Sequence, residues 1–127
     1  MQYMRILVLG MVLFGLLGGT AVYAAGKSAT YQMAEIMHRL KHYPSPVGKE
    51  TLHRIAQSDS ASKNERTIAT AMINLEHRVA AGDIQKLKAI INDPNATPHE
   101  RELASIVLNL DHRPTAADKA KLKAMMQ

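Results

Sequence analysis

The residues Asn74-Leu75-Glu76-His77-Arg78 return thirty-five positions later as Asn109-Leu110-Asp111-His112-Arg113. Residues 57–91 laid over 92–126 without a gap match at 14 of 35 positions, among them Ala61/Ala96, Glu65/Glu100, Arg66/Arg101, Ala69/Ala104 and Asp83/Asp118. A fixed period of this size marks stacked supersecondary units. The same interval laid backward finds an eroded third copy. In it Met33, Ala34, Met37, Leu40, His42, Leu52 and Ile55 fall on Ile68, Ala69, Met72, Leu75, His77, Leu87 and Ile90. Six of those seven positions are apolar, as a shared core requires. The chain thus divides into units at about residues 29–57, 58–92 and 93–127.

Each unit reads as two helices. Ser62-x-x-Glu65, Thr97-x-x-Glu100 and Thr115-x-x-Asp118 have the spacing of capping boxes, and Pro98 occupies the favoured first helical position. Ile68, Ala69, Met72 and Leu75 form one stripe of a 3.6-residue helix. That helix is expected to run to about Arg78, where a cation suits the negative end of the dipole. The shorter second helix carries Ile84, Leu87, Ile90 and Ile91 in the middle unit and Leu122, Met125 and Met126 in the last. Asn92-Asp93-Pro94 is turn chemistry, and no segment alternates with period two. In period and layout these hairpins resemble the TPR and HEAT classes of α-solenoid, without the Trp, Gly and Tyr of the TPR first helix in register. The expected fold is all-α: three antiparallel helical hairpins stacked in a row, with Leu40, Leu75 and Leu110 in one continuous core.

The first residues stand apart from this pattern. Arg5 supplies one positive charge, residues 6–19 are apolar apart from their glycines, and Val22-Tyr23-Ala24 suits a signal peptidase. A signal peptide over residues 1–24 and a single helical domain over 25–127 are expected, with the product periplasmic or secreted. The competing reading is a retained anchor, since residues 6–25 are uncharged and long enough to span a bilayer. The chain has no cysteine, which excludes disulfides, thiolate ligands and thiol nucleophiles. Residues 25–127 carry 15 Lys+Arg against 11 Asp+Glu, well interleaved, and their aromatics are Tyr31 and Tyr43. Nucleic-acid binders concentrate basic charge and supply stacking platforms, so nucleic acid is not an expected partner.

The repeated polar residues supply the functional candidates. On a helix advancing about 100° per residue, Arg66, Thr70, Asn74 and His77 share the side opposite the apolar stripe. Arg101, Ser105, Asn109 and His112 repeat the set. As a face these residues fit a protein or peptide partner in the cell envelope: Asn amides pair with backbone and Arg forks onto carboxylates. The histidines would make such a grip pH-dependent. The plainer reading is a solvated face.

Metal binding is the alternative, through His38-x-x-x-His42 as an i, i+4 pair with His53 on the partner helix. Helices packed about 8–10 Å apart in a row would keep His42, His77 and His112 from sharing one ion. A second alternative is an anionic surface held by the Lys88/Lys123 ladder. The last helix, residues 117–126, can serve as a homodimer face, since Met125 and Met126 are expected to stay partly exposed with no capping helix after them. No HExxH, nucleophile elbow or glycine-rich phosphate loop is present. The chain therefore reads as a non-catalytic binding or adaptor protein without a cofactor.

Overall fold

A computed structural model describes residues 26–127; the expected signal segment lies outside the described residues. Those residues form six helices: α1 (Ala29–His38), α2 (Pro46–Ala56), α3 (Lys63–Ile73), α4 (Ala81–Ile91), α5 (Pro98–Leu108) and α6 (Ala116–Met125). No strand accompanies them among the described residues; extended pairing is limited to three isolated bridges. None of the helices is long and apolar enough to cross a membrane.

Local sequence sets the starts. Ser62, Thr97 and Thr115 each accept a backbone N–H three residues on, and Glu65, Glu100 and Asp118 return the bond to the cap's own N–H. Ser28 and Ser45 cap α1 and α2, and Pro46 and Pro98 stand at first helical positions. The first helices stop sooner than the apolar stripe suggests. They end at His38, Ile73 and Leu108, so the Asn-Leu-(Glu/Asp)-His-Arg segments are connections and not last turns. Asn74 and Asn109 sit just past the end, where Asn109 turns its amide back onto the Ser105 carbonyl and Asn74 turns its own onto Asp83.

The first helices α1, α3 and α5 touch one another pairwise and form the centre. Around them, each second helix packs chiefly on the first helix of the next unit: α2 on α3, α4 on α5 and α6 on α1. This differs from a row of separate hairpins in two ways. The closest helix pairs join neighbouring units, and the last unit returns to the first, so the three units close into a ring. Closure is favoured because three stripes facing one axis bury more apolar surface than a row with two open ends. Met33, Met37, Leu40, Leu52, Ile68, Met72, Leu75, Leu87, Leu103, Leu110 and Leu122 are all buried in one cluster. Met125, expected on an open end, is 6% exposed against this core, and Met126 is partly buried.

Polar ties run between units at the helix starts. Thr30 Oγ1 donates to Glu65 (2.9 Å), while Ser62 Oγ and Asn64 Nδ2 donate to Glu100 (2.6 and 3.1 Å). Burial opposes ionisation of Glu100, but its bonds from Ser62, the Thr97 backbone and Asn64 prevail and hold its carboxyl below the ordinary range.

Two expectations follow. Leu75→Ala should cost about 2–5 kcal/mol in urea denaturation, the range for truncating a fully buried leucine; a cost below about 1 kcal/mol would contradict the shared core. Glu100 ionises more readily folded than unfolded. Its contribution is therefore complete at neutral pH and is lost as pH falls through the ordinary carboxylate range toward the lowered folded value. Glu100→Gln should lose about 1–3 kcal/mol at neutral pH, and the gap from wild type should narrow in acid.

Candidate metal centre

Each connection after α1, α3 and α5 repeats one small construction. A leucine (Leu40, Leu75 or Leu110) is buried in the core, and two residues on a histidine turns the chain. His42, His77 and His112 have φ of 71°, 67° and 67°, and no other non-glycine residue among those described has a positive φ. Across His42 and His112 the following N–H bonds back to the preceding carbonyl, Tyr43 to Lys41 and Arg113 to Asp111, both at 2.8 Å. Such γ-turns about a left-handed residue are rare and strained. The left-handed region costs an L-residue about 1–2 kcal/mol, which glycine avoids.

The three turns meet. The His42 N–H donates to the His112 carbonyl, His77 to His42 and His112 to His77, all at 2.7 Å. A closed triangle of backbone bonds therefore joins the three units, and the imidazoles project from it together. Their centroids lie 4.8, 5.4 and 5.0 Å apart, and one ring nitrogen from each falls within 4.8 Å of the others. His42 Nδ1 and His77 Nδ1 are 3.0 Å apart. Tetrahedral zinc with Zn–N near 2.0–2.1 Å sets its nitrogens about 3.3 Å apart, a value between the 3.0 Å of the His42–His77 pair and the 4.8 Å that bounds the cluster. All three side chains are exposed, so an ion has access.

Asp111 and Arg78 flank the cluster. Asp111 Oδ1 lies 2.7 Å from His112 Nδ1, and Arg78 reaches the same oxygen through Nε (3.2 Å) and Nη2 (3.1 Å). The bond from His112, then the bond and charge of Arg78, hold the Asp111 carboxyl below the ordinary range.

Placement of the other candidates is mixed. His38 is the last residue of α1 while His42 lies in the turn beyond it, so helical i, i+4 geometry does not join them. His53 is exposed on α2; among the described residues, the histidines close enough to share an ion are His42, His77 and His112. The expected separation of these three is corrected by ring closure, which returns the third unit to the first. On the polar face, Arg66 donates to the Ser58 and Ala61 carbonyls and Arg101 to those of Asp93 and Ala96, stapling the loops between units. Thr70 bonds the Arg66 carbonyl, Asn74 bonds Asp83, and Asn109 bonds Ser105. His77 and His112 leave this face altogether. Lys88 and Lys123 are exposed on α4 and α6.

One signal for the triad was present in the sequence. Four positions carry the same residue in all three units: Ala34/Ala69/Ala104, Leu40/Leu75/Leu110, Leu52/Leu87/Leu122 and His42/His77/His112. Three of these are buried and serve the core; the histidine is the exposed exception. No protein-family model, curated protein or solved structure matches the chain.

The left-handed turn can be tested apart from any ligand. His77→Gly and His77→Asn should stay within about 1 kcal/mol of wild type, because both residues tolerate positive φ. His77→Val should lose more than either, since a β-branched residue is an outlier there. Thermal unfolding of the three variants reads the order, and equal stability of Val and Gly would mean that the backbone is not left-handed.

Proposed function

We propose that this protein binds a first-row transition-metal ion, zinc or copper(II), between His42, His77 and His112. The observation that carries the reading is the convergence of three exposed imidazoles on a strained backbone triangle that glycine would form at lower cost. Strain of this kind persists where the surrounding structure imposes it, and it clusters at functional sites. Imidazole nitrogen suits zinc and copper(II), and the chain contributes no thiolate to shift the preference toward softer ions. Three protein nitrogens leave a coordination position open to water or another ligand.

The site also bears on stability. His42 and His112 are seventy residues apart in sequence, so one ion would clasp the first unit to the third. An ion that binds only the closed ring stabilises it by mass action, about 2.7 kcal/mol at a hundred times the dissociation constant. Protons compete for the same nitrogens, so affinity falls in acid. The leader pattern of residues 1–24 supports an exported location. A role in gripping peptides has less support, because the arginines and asparagines of the polar face already make internal bonds.

Calorimetric titration of the metal-free protein with Zn²⁺ and Cu²⁺ at neutral pH should show one ion per chain and a raised unfolding temperature. His42→Ala, His77→Asn and His112→Ala should each lose at least about tenfold in affinity, since loss of even an outer-shell partner typically costs about 10–100-fold. His38→Ala and His53→Ala should match wild type. Equal uptake by wild type and the triple histidine variant would overturn the proposal.

A further inference from the structure

The three histidines are equivalent in backbone but not in surroundings. The residue before each is Lys41, Glu76 or Asp111, and among the described residues Asp111 alone hydrogen-bonds the imidazole that follows it. An ionised carboxylate can only accept, so the 2.7 Å contact puts the proton on His112 Nδ1 and leaves Nε2 with the free lone pair. Arg78, from the middle loop, fixes Asp111 in turn by a hydrogen bond from Nε and an ion-pair contact from Nη2 to that same oxygen. His42 and His77 have no such support; their Nδ1 atoms face each other at 3.0 Å, the separation at which two nitrogens share either a proton or an ion.

We infer that Asp111, held by Arg78, is the positioning residue of this centre, and that it presents His112 to the ion through Nε2 while His42 and His77 bind through Nδ1. The inference rests on the metal reading above and adds the donor atom of each ring. Arg78 acts across two loops: it holds Asp111 Oδ1 against His112, and it ties the second turn to the third. A carboxylate behind a ligating imidazole fixes the ring's tautomer and orientation, and losing it commonly weakens a site about 10–100-fold.

The test combines zinc titration with ¹⁵N NMR of the histidine rings in the full protein. Asp111→Ala should weaken zinc binding about 10–100-fold and release His112 from the Nδ1–H tautomer in the metal-free protein. Asp111→Asn should fall between, because an amide can still accept through oxygen but is free to flip. Arg78→Gln should weaken zinc binding to a smaller extent. Glu76→Ala, the equivalent position before His77, should bind zinc as wild type does.

Wild-type zinc affinity in Asp111→Ala, or tighter binding, would overturn the inference while leaving the metal centre standing. So would a metal-free spectrum with His112 protonated on Nε2. If the wild-type protein binds neither zinc nor copper, the centre itself fails; the tautomer of His112 then still reports whether Asp111 orients the ring.

Discussion

The ring depends on the burial of three apolar stripes against one axis, and it meets where three histidine residues bond backbone to backbone in a left-handed conformation. Each bond contributes a net of about 0.5–1.5 kcal/mol, and each left-handed residue costs about 1–2 kcal/mol. The triangle is therefore close to neutral and cannot be what drives the ring to close. The drive is the burial of apolar stripes, and the leucine two residues before each histidine transmits it by fixing where each turn must lie. The core imposes the turn, the turn aims the imidazole, and the cluster of nitrogens is a product of packing far more than of attraction between the rings.

At the opposite end of the central helices the ties are side chains. Glu65 and Glu100 take hydroxyl and amide donors from the preceding unit, and Arg66 and Arg101 hold the loops between units. The first unit has neither the glutamate nor the arginine of this set, with Thr30 and Tyr31 in their places. It has kept its core positions and its histidine. Units free to vary at their caps, and constrained at one exposed residue, place the common requirement at the apex.

Much of the fold was legible in the sequence. The thirty-five-residue period, the capping boxes and the apolar spacing identified the helices and their shared leucines, since all three signals are local in the chain. Closure was not legible, because a repeat period fixes how one unit follows the next but not the rotation between them, and that rotation separates a row from a ring. The placement of His77 was hidden for a different reason. Asn74 and His77 were read on a helical wheel, yet the helix ends at Ile73, so a periodicity valid for Ile68 to Met72 was carried past its domain. The left-handed turn has no pattern that marks it when histidine replaces the usual glycine. The one available sign was comparative within the chain: an exposed histidine matched in all three units, where the first unit shares little else that is polar.

The seam between α6 and α1 has a kinetic consequence. At the other two seams, loops of six residues, 57–62 and 92–97, deliver one helix to the next, whereas α6 must find α1 across most of the described chain. Loop-closure entropy grows as the logarithm of length, so this step carries about 2 kcal/mol more than a six-residue loop. α6 is also the last of the six helices to be synthesised. Until it emerges from the ribosome, α1 lacks the helix it packs against chiefly in the finished ring. A nascent chain of two units can form its local pairs early, but the histidine apex is complete only once His112, in the third unit, has been made.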